Sequence, residues 1–181
     1  LNRIKDFCDP INSDDYVRSK YFGSKKSGKY LSGDTRGWKL SDARRKIVGE
    51  NHIRNIKDIL YRPFDVRSIY YHPKMVDWGR ETIIHHFLAG PNLGLCFMRQ
   101  VSLDEGYSHF LVTTHMIDNR TFKSVRGIIQ LPPLYLYFDT SQSNLLNQES
   151  RKPNLSSDFI KKCSEKLKLN FVSEGKGDLE K

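Results

Sequence analysis

Residues 61–73 read YRPFDVRSIYYHP, an arginine before a proline, an aspartate between two arginines, and a run of apolar and aromatic side chains. On either side, DILYR (58–62) and VRSIYYH (66–72) carry the β-branched and aromatic residues of strands, and Pro63 between them forbids one continuous central strand. The sequence therefore predicts a strand, a kink and a second strand. Pro63 also pushes Arg62 into an extended conformation. The short spacing lets Asp65 pair with Arg62 or Arg67, so these three residues are expected to form a structural network, with Tyr61, Phe64, Ile69 and Tyr71 packing beneath the sheet. An arginine oriented in this way also suits guanine, since a bidentate fork to that base is the commonest specific contact to DNA. The motif is expected to be scaffold, with reading left to its neighbours.

Working outward, LNRIKDFC (1–8) reads as a helix end stopped by Asp9-Pro10, and SDDYVRSKYF (13–22) as a short helix or extended arm. SDARRKIVG (41–49) fits a helix capped by Ser41 or Asp42, with Ala43 and Ile47 on one face and Gly49 ending it. In WGRETIIHHFLAGPN (78–92), Ile83, Ile84, Phe87 and Leu88 recur at helical spacing before Gly90-Pro91 stops the helix. NLGLCFMRQ, YSHFLVTTHMI and GIIQLPPLYLYF are β-like runs. A helix over NLSSDFIKKCSEKLKL (154–169) is capped by Ser156 or Ser157 and striped by Phe159, Ile160, Cys163 and Leu167. This pattern predicts an α+β fold, a mainly antiparallel sheet core with flanking helices. The expected segments are a basic lead-in (1–50), a β-rich core (51–140) and a linker, helix and polar tail (141–181).

Composition narrows the class. With 38% hydrophobic and 12% aromatic residues among 181, the chain can bury a core. Its mean hydropathy of −0.60, with no apolar run of the roughly 18–20 residues a bilayer span needs, argues against a membrane protein. Cys8, Cys96 and Cys163 are odd in number and widely spaced, the usage of reduced thiols in a cytoplasm rather than of a zinc site. The chain starts at Leu1 without an apolar signal core, which fits a piece of a longer polypeptide. The net charge of +9 is concentrated: residues 18–46 hold ten Lys/Arg against two acids. That Gly/Ser/Tyr-rich segment is suited to phosphate contact, with Lys25, Lys26, Lys29, Arg36, Lys39 and Arg44 as the candidates.

Several catalytic patterns fail on inspection. His85 and His86 are adjacent, so on a helix they point about 100° apart and share no metal. His109 and His115 fall on one face of an expected strand but roughly 20 Å apart. Glu174-Gly175-Lys176 has the ExK form of some metal-dependent nucleases without the strand or acidic partner that such a site needs. Leu131-Pro132-Pro133-Leu134-Tyr135 is a near miss: adenine-N6 methyltransferases need a polar residue before the prolines and an aromatic after them, and both positions are leucine here. No Gly-rich turn after a strand offers an adenosyl cofactor site. No metal or catalytic residue is assigned to the chain.

In order along the chain, YRPFDVRSIYY, Arg80, LAGPNLGL, FMRQ, HFLVTTHMID, PPLYLY and RKPNLSSDF resemble the C-terminal specificity region of Type ISP and related single-chain restriction-modification enzymes with an N6-adenine methyltransferase. The resemblance runs from about Trp38 to about Leu169. It implies a target-recognition domain that reads double-stranded DNA, itself non-catalytic and following a methyltransferase domain that uses S-adenosylmethionine. Nuclease or motor domains are further expected partners. The family continues into another aromatic-rich segment that residues 170–181 do not contain, again as expected of a piece of a longer chain. Recognition residues vary with the sequence read, so base contacts are assigned by chemistry alone. The candidates are Arg80, Arg99, Gln100, Asn119, Arg120, Lys123 and Arg126, with His109 and Asp118 beside them. DNRTFKSVRG (118–127), a polar basic loop between two β runs, is the strongest of these stretches. The alternatives are a metal-dependent nuclease built on Asp65, Asp118 or Glu174, and a module that only joins the methyltransferase to other domains.

Overall fold

The computed structural model describes residues 1–22, 34, 37–76, 79–100, 106–122, 127–138 and 151–172. In chain order its elements are α1 (Asn2–Cys8), α2 (Asp14–Tyr21), α3 (Leu40–Ile47), β1 (Ile56–Arg62), β2 (Asp65–Tyr70), α4 (Glu81–Leu88), β3 (Gly94–Met98), β4 (Phe110–Thr113), β5 (Met116–Ile117), β6 (Ile129–Gln130), β7 (Tyr135–Tyr137), β8 (Arg151–Pro153) and α5 (Ser157–Leu167). The fold is α+β, with small, mostly antiparallel sheets. It divides into two compact units, residues 1–59 with 67–79 and residues 60–66 with 80–181. β1 and β2 each pass from one unit to the other.

In the first unit, Pro10 restricts Asp9 to an extended conformation (ψ 118°), and α1 stops there. α2 begins at Ser13, whose hydroxyl accepts from the Tyr16 amide at 3.2 Å, with Asp14 and Asp15 favourable in its first turn. α3 starts one residue before the expected cap. Its first amide, that of Leu40, donates instead to the Asp34 carboxylate at 2.9 Å, and Asp34 is held by Arg18 at 2.7 Å. Leu40, Ala43, Arg44 and Ile47 are the buried face of α3, at i, i+3, i+4 and i+7. Leu40 and Ile47 pack with Phe7 and Val17, and Trp38, Tyr70 and Met75 close around them.

Arg44 corrects the sequence reading. It is 9% exposed, and its guanidinium donates to the carbonyls of Phe7 (2.8 Å), Asp9 (2.7 Å) and Asn12 (2.7 Å) and pairs with the Asp14 carboxylate. Those carbonyls end α1 and line the turn into α2, where no helical partner exists for them. Arg44 is an internal strut rather than a phosphate contact.

The expected kink at Pro63 is a β-hairpin turn. β1 ends at Arg62, β2 begins at Asp65, and a two-residue connection joins neighbouring strands only when they run antiparallel. Proline fixes the first turn residue at negative φ and Phe64 has φ +63°, the sign pattern of a type II turn, which ordinarily takes Gly or Asn at the second position. Phe64 does not pack: it is 96% exposed at the hairpin tip, whereas Tyr71 is buried and Tyr61 and Ile69 are half-buried. Phe64→Gly should remove the left-handed strain and stabilise the fold by about 1 kcal/mol, read as a higher denaturation midpoint with unchanged slope.

The second unit is built on the sheet β4-β3-β6, with Gly94 opposite Thr113, Phe97 opposite Phe110 and Met98 opposite Ile129. One face of β3 turns Cys96 and Met98 inward, where they meet Phe122, Ile129 and Leu131 under Ile83 and Phe87 of α4. Burial pushes the Cys96 thiol up to about 11, so it remains protonated at neutral pH. At Gly94 a Cβ would lie 2.6 Å from both Phe87 and Leu131, which is why α4 approaches the strand so closely there. Asn92 ties α4 to β7: its amide group donates to the carbonyls of His86 (2.9 Å) and Tyr135 (2.8 Å), and its oxygen accepts from the amides of Leu93 (2.9 Å) and Tyr135 (3.0 Å). α5 carries its expected cap, Ser156 accepting from the Phe159 amide at 3.2 Å. Its apolar stripe contributes no buried residue.

Candidate nucleic-acid interface

The YRPFD hairpin and the turn from Asp118 to Thr121, far apart in sequence, meet within the second unit. The Leu60 carbonyl of β1 accepts from the Asp118 amide at 3.2 Å and from the hydroxyl of Thr121, a fully buried residue, at 2.8 Å. The Asp118 carboxylate accepts from the Arg120 amide at 2.8 Å, and the Thr121 amide donates to the Asp118 carbonyl at 3.1 Å. This tight aspartate-initiated turn leaves Asn119 and Arg120 exposed on a rigid base.

Arg62 completes this corner. Its guanidinium lies 3.6 Å from Asp118, over the Tyr61 ring at 3.9 Å from the centroid, and donates to the Tyr61 carbonyl at 2.6 Å. The ion pair is about one-third exposed on both sides, so its contribution to stability is small, about 0–1 kcal/mol. Its effect is positional, joining the hairpin to the turn at Asp118. Asp65 opens β2 half-buried, and Arg67 lies exposed on the same strand.

Gly127 has φ +84°, and a Cβ there would sit 3.7 Å from Gln100. Gln100, exposed after β3 as Arg99 is, therefore lies beside Gly127, and Asn119 and Arg120 are exposed after Asp118. Arg80 serves the fold in part: it begins α4 in a left-handed conformation, and its guanidinium donates to the Ile129 carbonyl of β6 at 2.8 Å. Lys39 is exposed at the start of α3 in the first unit. Lys25, Lys26, Lys29, Arg36, Lys123, Arg126 and Glu174 lie outside the described residues.

The histidines pack or brace. The His86 ring accepts from the Tyr137 amide at 3.1 Å, and His109 meets Phe122 edge-on at 5.7 Å. His109 precedes β4 and His115 follows it, so the two do not share the expected strand. The LPPLY segment is pinned to β3, the Pro132 carbonyl accepting from the Leu95 amide at 3.2 Å and the Leu134 amide donating to Leu93 at 2.6 Å. Among the described residues no three His, Cys, Asp or Glu side chains converge on a metal-sized site, and no helix is long and apolar enough to cross a membrane.

Two surfaces escaped the sequence reading. Arg151 on β8 stacks over Tyr135 at 3.9 Å and donates to the Pro91 carbonyl at 2.9 Å; the signal was the YLY run and the RK dipeptide it pairs with. On the outer face of β3 and β4, Leu95 lies opposite Val112 and Phe97 opposite Phe110, with Tyr107 stacked on Phe110 at 6.1 Å; Leu95, Tyr107, Phe110 and Val112 are all exposed.

Comparison with curated proteins and with solved structures gives no match. The model of the Type ISP C-terminal specificity domain matches residues 1–178, and the chain belongs to that family.

Proposed function

We propose that this chain is the target-recognition domain of a restriction-modification polypeptide, reading double-stranded DNA in the major groove with loop and strand-end side chains. The observation that carries this reading is the family match over nearly the whole chain. The geometry supports it: a turn pinned to β1 at Leu60 presents Asn119 and Arg120, and Gly127 lies beside Gln100. Asn suits the adenine edge and Arg the guanine edge, and a rigid base spares them the ordering cost of a floppy loop. Lys25, Lys26, Lys29, Arg36 and Lys39 grip phosphates without reading sequence. A specificity domain is in general non-catalytic. Adenine-N6 methyl transfer and the S-adenosylmethionine that supplies the methyl group belong to an attached methyltransferase domain, with nuclease or motor domains as further partners.

Grip and reading are separable by mutation. Replacing Lys25, Lys26 and Lys29 by Ala should weaken binding to all duplexes alike and flatten the salt dependence by roughly 0.9 in log-log slope for each phosphate no longer neutralised. Replacing Arg120 should cost about 1–3 kcal/mol on the preferred duplex and relax choice at one base position. Both are measured as binding across a randomised duplex library at two salt concentrations. A lysine variant that changes the preferred sequence, with an Arg120 variant that leaves it intact, would reverse the assignment.

A second reading, a module that joins the methyltransferase to other domains, is favoured by the apolar outer face of β3 and β4, the kind of patch that protein interfaces cover.

A further inference from the structure

We propose that Phe64 is a wedge, entering the base stack of the duplex from the hairpin tip while the adjoining turn reads the groove. This inference rests on the DNA-reading function and adds to it a distortion of the DNA.

Phe64 has no work to do inside the fold. It is 96% exposed, and it holds φ +63° at a turn position where glycine would be unstrained, so its ring gains no packing in return for the strained backbone. Pro63 beside it stiffens the tip, and β1 and β2 supply a paired stem. The tip also stands beside the turn assigned to reading. Arg62, paired with Asp118, precedes the tip and Asp65 follows it, and the turn carrying exposed Asn119 and Arg120 is hydrogen-bonded to Leu60, two residues before Arg62. An apolar side chain next to groove-reading Asn and Arg is the arrangement by which proteins partly unstack and kink a base step. Pyrimidine–purine steps, the most readily unstacked, are the expected point of entry.

The test uses the 181-residue chain, the preferred duplex selected from a library, and a set of copies with 2-aminopurine at successive positions of the site and its flanks. Binding by the unaltered protein should brighten the fluorescence at one step only. Phe64→Ala should abolish that brightening and weaken binding roughly tenfold, as expected when one aromatic ring no longer stacks on a base. Phe64→Leu should retain most of both. Urea denaturation of each variant shows that the hairpin still folds, as expected for a fully exposed side chain. If the unaltered protein binds one sequence without brightening at any step, or if Phe64→Ala binds and brightens as before, the wedge is wrong while sequence reading stands, and the tip is left to a protein surface. If the unaltered protein distinguishes no sequence, both fail together.

Discussion

Arg44→Ala is expected to cost about 3–5 kcal/mol, a large share of the roughly 5–15 kcal/mol that typically separates a folded domain from its unfolded chain. The loss is large because the partners remain behind. Without the guanidinium, the carbonyls of Phe7 and Asn12 lose its hydrogen bonds, that of Asp9 keeps only the Asn12 amide at 3.1 Å, and Asp14 loses its counter-charge, at the point where α1 turns into α2. Arg44→Lys should recover little, because an ammonium on a flexible stem cannot present the fork that reaches three carbonyls and a carboxylate together. Arg45, the adjacent residue, is exposed and pairs with Asp42 across one helical turn, so Arg45→Ala is the control and should change stability by less than about 0.5 kcal/mol. Urea denaturation followed by tryptophan fluorescence, to which Trp38 of the first unit contributes, measures all three. Equal midpoints for the Arg44 and Arg45 variants would contradict the strut.

Asn92→Leu should destabilise the second unit by about 3 kcal/mol. Its side chain is 6% exposed and makes four hydrogen bonds, so replacement by an apolar group of similar size orphans the carbonyls of His86 and Tyr135 and the amides of Leu93 and Tyr135. Because two of the four belong to Tyr135, the defect should appear first as faster hydrogen exchange in β7, ahead of β3. Protection of the Tyr135 amide equal to that in the unaltered protein would show that the network is not what holds β7.

How much of this was legible in the sequence depended on how local the signal was. Ser13 and Ser156 cap helices three residues ahead of the amides they serve; α5 was expected where it occurs, and the stretch holding α2 was expected as a short helix or an extended arm. The cap of α3 was missed because its acceptor, Asp34, lies six residues upstream of Leu40, outside any capping spacing. Arg44 was misassigned because it sits in a basic run; its position at i+4 from Leu40, on the same face as Ala43 and Ile47, was the available clue. Pro63 announced a break but not a hairpin, since the residue after it is a bulky aromatic ill suited to positive φ. The pairing of Arg62 with Asp118 joins positions 56 residues apart, and no local pattern announces it, whereas the spacing does announce Asp65 as a partner for Arg62 or Arg67. The family resemblance, carried by a series of short motifs in order, was visible where these geometric details were not.

The proposed function is tested most directly by whether this chain distinguishes one DNA sequence from the rest. The direct measurement is equilibrium binding to a randomised duplex library at physiological salt, followed by titration of the selected and scrambled duplexes. The account predicts a single preferred sequence, bound roughly 10³-fold more tightly than scrambled DNA. Binding of equal strength to both, or to neither, by the folded protein would contradict it.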